Sequence, residues 1–207
     1  MGWRIGAFAT AALLVSVAVA RMAQDPQSGT ATWDASRAAG FASYLLLWAA
    51  TVSGIGLHLR YRPVAGPLTW VLESHRMLSV LALSFLASHV VALVLDPVVS
   101  FPVVDAVVPF TSGYRPVQVG LGVLGQWLLL VVLASTAFAT AMSWAAWRSF
   151  HYLAFPCYVL ALVHGVTAGS DSSSFPAVMI YAVTAGSVGA LLVARMLGRG
   201  WTEAAEA

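Results

Sequence analysis

Charge is what this sequence has least of. Only 9% of its 207 residues are Asp, Glu, Lys or Arg, against about a quarter in a soluble globule. That scarcity excludes a disordered chain, a nucleic-acid binder and an ordinary soluble enzyme. Lysine is absent. The net charge of +2 rests on ten Arg spaced along the chain near the ends of apolar runs, which leaves no basic patch for a polyanion. Cysteine is nearly absent as well. Cys157 stands alone in an apolar run, so there is no internal disulfide and no Cys-based metal site. No Ser-His-Asp or paired-carboxylate arrangement lies within the apolar runs, and no repeat recurs at a fixed period. Gly120-x-Gly122-x-x-Gly125 matches a dinucleotide fingerprint in letters only. No strand precedes it and a lipid-length apolar run follows, so these small residues are read as helix-packing positions.

What is present is hydrophobic length. Sixty per cent of the residues are apolar and the mean hydropathy is +0.85. Six runs are long enough, or nearly so, to cross a hydrocarbon core of ~30 Å as helices. They are Ile5–Met22, Ala38–His58, Met77–Leu95, Val119–Ser143, Ser149–Ala168 and Ala177–Met196, separated by Pro- and Gly-marked joints. The expected fold is an all-α integral membrane bundle of six helices. Residues 1–37 hold the first span and a loop, and residues 38–207 the main bundle. Ala18–Ala20 also resembles a signal-peptidase site, so a cleaved leader is the alternative for the first run. The short loop to the next span favours a retained helix.

Arginine placement orients the bundle. With the N-terminus inside, Arg4, Arg60, Arg62, Arg76, Arg148, Arg195 and Arg199 fall inside, and only Arg21, Arg37 and Arg115 outside. This bias predicts N-in, C-in. Trp3, Trp70, Trp144, Trp147 and Trp201 then mark the inner interface and Trp33 the outer one. The loop Asp96–Gln118 is apolar but carries prolines that forbid a regular span. It is a cap folded onto the bundle, an interfacial segment or a plain connector.

The histidines carry the chemistry. An ionisable side chain inside a bilayer is costly, so each is a functional hypothesis. His75 and His89 lie on the third run, 14 residues and so about 21 Å apart along a helix axis. His151 and His164 are 13 apart, about 20 Å, on the fifth run. Both runs cross in the same direction. His75 therefore shares a depth with His151 near the inner face, and His89 shares one with His164 in the outer half. Four ligands spread over ~20 Å cannot serve one ion, whose bonds to nitrogen are only about 2 Å. Haem suits the arrangement, with one imidazole from each helix on either face of the iron. Phase is the difficulty. Fourteen residues return to nearly the same helix face, but 13 fall about 140° short of whole turns. Pro156 lies between His151 and His164, and a kink or rewinding there would repair the mismatch. Phe85, Phe155 and Tyr158 fall at intermediate depth as ordinary core or lipid-facing aromatics. His58 reads as an interfacial residue. Arg60, Arg62 and Arg76 serve the inside-positive bias and are also candidates to bind haem propionates, with Arg37 and Arg115 the outer counterparts.

His75–His89 and Trp147–His164, together with the loop DPVVSFPVVDAVVPFTSGYRP and the stretch HGVTAGSD, resemble the ferric reductase-like transmembrane domain superfamily. It includes the membrane cores of NADPH oxidases and metalloreductases and the haem subunit of bacterial methionine-sulfoxide reductase systems. The resemblance covers about Ala38–Met196. It implies two b haems on the third and fifth of six helices, with His75, His89, His151 and His164 as axial ligands, in a bacterial cytoplasmic membrane. Oxidases and metalloreductases of this group add a C-terminal half for FAD and NADPH. No such stretch lies between Met196 and Ala207, so direct NADPH oxidation is not expected.

The expected function is transmembrane electron transfer through two haems. The donor would be an inner flavoprotein, carrying FMN or FAD, or a membrane quinol. The acceptor would be ferric iron or a partner reductase outside. Two alternatives stay open. One is a single haem at one pair. The other is a haem-free transporter or assembly subunit that uses its histidines for proton transfer or packing.

Overall fold

The computed structural model describes residues 31–58, 68–97, 99 and 101–205. The first predicted span, the proposed signal-peptidase site, and Arg60 and Arg62 lie outside the described residues. Among those described there is no strand. The helices are α1 (Ala31–His58), α2 (Leu68–Val94), α3 (Val103–Val107), α4 (Pro116–Ala137), α5 (Trp144–His151), α6 (Ala154–Ala168) and α7 (Phe175–Ala205), with a 3-10 turn at Ala139–Ala141. Five segments are long and apolar enough to cross a membrane: α1, α2, α4, α5 with α6, and α7. The protein is therefore a helical multi-pass membrane protein.

The helices start earlier than hydropathy alone marks them. α1 begins at Ala31 rather than Ala38, and α2 at Leu68 rather than Met77. Helix length follows backbone hydrogen bonding, and polar first turns are free to extend past the apolar stretch. As a result His75 sits well inside α2.

Two helix pairs organise the bundle. α2 packs along α1, and α6 packs along α4. α1 also touches α6 and α7, whereas α2 and α6 do not form a packed pair. Small residues permit the close approaches, as expected where lipid tails compete equally for apolar contacts. Ser43 Oγ donates to the Ala82 carbonyl at 2.8 Å, and Ala82 and Ala92 are fully buried. At mid-depth Tyr44 bonds Thr184 of α7 and lies 3.4 Å from the Tyr158 hydroxyl of α6. Tyr44, Tyr158 and Tyr181 thus join α1, α6 and α7 around a core that includes Leu47, Leu129 and Cys157.

The fifth span is broken, as the phase argument requires. Pro156 has no N–H for the Tyr152 carbonyl. That carbonyl accepts from Phe155 N instead, at 3.1 Å, and Leu153 N reaches Phe150 O at 3.0 Å. These are i→i+3 bonds, which wind about 120° per residue rather than 100°. The overwinding acts in the sense needed to turn His151 toward the side of His164.

The apolar loop after α2 is a cap. Phe101 and Ala106 pack on Val119 and Val123 of α4 and against Val90, Leu93 and Val94 of α2. Gln126 Nε2 and Trp127 Nε1 donate to the carbonyls of Ala106 and Val107 at 3.1 and 2.9 Å. Phe110 adopts a left-handed φ of 68° and lies against Gly120, where a Cβ would come within 2.2 Å of the ring. At the loop's start the buried Asp96 carboxylate accepts from Thr32 Oγ1 and from Val99 N, each at 2.8 Å.

A candidate centre of two histidine pairs

The gap between the two helix pairs is lined by the predicted histidines. His75 of α2 faces His151 of α5 with ring centres 6.0 Å apart. His89 of α2 faces His164 of α6 at 6.4 Å. The pairing expected from matched depths is the one observed. The interplanar angles of 66° and 75° exclude a stacked contact within either pair.

Three of the four imidazoles are held from behind. His75 Nδ1 donates to the Ala50 carbonyl at 2.9 Å, His89 Nδ1 to Ser36 O at 2.8 Å, and His164 Nδ1 to Gln118 O at 2.8 Å. A proton on Nδ1 fixes the tautomer in which Nε2 carries a free lone pair. No Nε2 of the four histidines bonds to any described residue. The described residues therefore present three basic nitrogens with their tautomers set by backbone.

Glycines create these anchors. A Cβ on Gly40 would lie 2.9 Å from the His89 ring, one on Gly54 3.1 Å from His75, and one on Gly122 2.7 Å from His164. In each case the accepting carbonyl belongs to the residue four before the glycine: Ser36, Ala50 and Gln118. A helical carbonyl has two lone pairs, one of them used by the N–H four residues on. Without a Cβ on that residue, the imidazole reaches the second lone pair. Two of the three letters of the apparent nucleotide fingerprint are explained by packing in this way, Gly122 on His164 and Gly120 on Phe110.

His151 differs from the other three. Its Nδ1 is buried with no hydrogen-bond partner among the described residues. Its ring instead stacks on Trp147 of its own helix at 4.8 Å and 19°. Trp147 in turn stacks on Trp144, and the Trp147 Nε1 is also buried without a partner.

Between His89 and His164 lies a cavity in which the centre of a water-sized sphere has about 210 Å³. Both histidines line it, with Gly40, Gly122, Phe101 of the cap and Tyr181. Trp33, Arg37 and Tyr114 line it as well. Arg37 pairs with Asp34 and with Asp171. Arg115 does not line the cavity. It donates to the Thr167 and Ala168 carbonyls at 2.9 and 3.3 Å, closing the C-terminus of α6. Arg76 points outward in an exposed ion pair with Glu73. His58 is exposed at the end of α1.

Two imidazoles that bind opposite faces of one metal through Nε2, with bonds of about 2 Å, place their ring centres roughly 6 Å apart. Both observed pairs match that separation. No group of three His, Cys, Asp or Glu side chains converges among the described residues; each pair offers two imidazoles. Two such donors leave the other coordination positions of a metal to a further group, and the cavity at His89 and His164 lies beside that pair. No family model, curated protein or solved structure matches the chain.

Proposed function

We propose that this chain is a di-haem b module that passes electrons across a bacterial cytoplasmic membrane. His75 and His151 would hold one haem near the inner face, and His89 and His164 the other in the outer half. The observation that carries the reading is the pair of ring separations, 6.0 and 6.4 Å. Bound haem supplies one-electron redox chemistry.

The residues around the pairs have defined work in this reading. The carbonyls of Ala50, Ser36 and Gln118 orient the imidazoles and raise their basicity as ligands. The cap residues Phe101 and Ala106 keep water and lipid from the outer cavity. The mid-depth tyrosines lock α1, α6 and α7 so that the distance between the pairs, about 20 Å along the axis, stays constant. The arginine bias assigns the His75 end to the inside, with N-in, C-in topology. A flavin reductase or a quinol serves as donor there, and ferric iron or a partner reductase as acceptor at the His89 end.

Sealed vesicles of known orientation test the assignment. A quinol in the membrane, or a flavin reductase with NADPH on the His75 side, is expected to reduce the haems. Ferric iron on the opposite side then reoxidises them, and His89→Ala blocks that second step while the inner component still reduces. Rapid, stoichiometric reduction of the pure chain by NADPH alone would contradict the conduit and require a nucleotide site.

A further inference from the structure

The two histidine pairs are not equivalent, and the difference lies in His151. Three imidazoles are each fixed by a carbonyl on a neighbouring helix and by a glycine that admits the ring. His151 has neither support. Among the described residues its Nδ1 meets no acceptor. Antiparallel packing sets Gly122 of α4 against His164; counting 13 residues along in the same register brings Ser135 to the level of His151. Ser135 carries a side chain, and its hydroxyl is turned to the Val132 carbonyl at 2.8 Å.

The backbone under His151 is also the least regular of the four. His75, His89 and His164 sit within continuous helices. His151 is the last residue of α5, followed by the i→i+3 turn that Pro156 imposes. Its ring rests on Trp147, which rests on Trp144, a side chain 68% exposed. The support is thus a stack of side chains that ends in the exposed Trp144, rather than helix backbone.

Resting on the di-haem reading, we propose that the His75–His151 centre, and not the His89–His164 centre, accepts a small neutral ligand such as carbon monoxide or nitric oxide in place of His151. The exchange involves no net electron transfer. With haem bound, His151 would give up its Nε2 bond to the iron as the incoming ligand's bond forms, and the freed Nε2 would accept a hydrogen bond from water. Losing an outer-shell partner of a metal-bound histidine typically costs 10–100-fold in affinity, so His151 is the ligand that leaves first. His75 stays, because its Nδ1 is held by Ala50.

The test uses the full-length holoprotein, with the haem-to-protein ratio measured first. After dithionite reduction, saturating carbon monoxide is expected to shift half of the α-band amplitude. The shift should persist in His89→Ala, which keeps only the His75–His151 haem. A two-haem protein with no carbon monoxide spectrum would overturn this inference alone. So would carbon monoxide binding confined to the His89–His164 haem. A protein that binds no haem overturns it together with the reading on which it rests.

Discussion

Replacing Gly122 with alanine adds a single methyl group, and the structure says where that methyl goes. The new Cβ would lie 2.7 Å from His164 Nδ1, 2.8 Å from Cε1 and 3.0 Å from Cγ, whereas ordinary contact begins at 3.4 Å. To restore contact the ring must retreat by roughly 0.7 Å, which stretches its 2.8 Å bond to Gln118 O to about 3.5 Å, beyond hydrogen-bonding range. Overpacking of this kind costs about 1–3 kcal/mol. Loss of the Nδ1 anchor costs a further 10–100-fold in hold on a bound metal. Gly122→Ala is therefore expected to lose most of the outer haem while keeping the inner one. The readouts are haem content and the reduced spectrum after purification. Gly186→Ala and Gly189→Ala are the controls, since nothing lies within 4 Å of a Cβ at either position. Both should retain full haem. A Gly122→Ala protein with both haems, an unchanged spectrum and unchanged haem retention would refute the argument that glycines make room for the anchored imidazoles.

Further outcomes follow from the same geometry. His75→Ala and His151→Ala should remove one spectral component, and His89→Ala and His164→Ala the other, with each within-pair double variant no worse than its singles, because both members act as one unit. Loss of the same component from His75→Ala and His89→Ala would contradict the pairing. Gly54→Ala, with its milder 3.1 Å approach to His75, should weaken the inner haem less than Gly122→Ala weakens the outer one, as measured by haem retained during dilution. Thr32→Val leaves the buried Asp96 carboxylate short of a donor, which costs about 1–3 kcal/mol. Thermal unfolding in detergent should show the loss, and Thr32→Ser should recover it.

Much of the site is legible in the sequence, for a physical reason. Intramembrane histidines are rare and their spacing converts directly into depth, so 14 and 13 residues on two parallel spans already define two levels. The break at Tyr152–Leu153 was legible in part, because Pro156 removes one identifiable bond. How the freed carbonyl would be satisfied depends on Phe155 N, which no residue type announces. The anchors were harder to read. Their acceptors are backbone carbonyls, which carry no sequence identity. A signal did exist. Gly40 and Gly54 are 14 apart, as are His75 and His89, so antiparallel packing of the two spans brings both glycines to both histidines together. The identity of the arginines that face the cavity was not legible. Arg37 and Arg115 are both near it in sequence terms, and only docking shows that Arg115 is turned to the end of α6 while Arg37 lines the space.

The central claim is that two imidazole pairs each hold a haem, and counting haems tests it most directly. The full-length protein, purified with haem supplied during expression, should give a pyridine haemochrome ratio near two per chain. Dithionite should produce the sharp α and β bands of low-spin, six-coordinate iron. A folded protein that is colourless under these conditions would contradict the account and favour a haem-free transporter or assembly subunit. A ratio near one would leave a single occupied pair and remove the second step of the conduit.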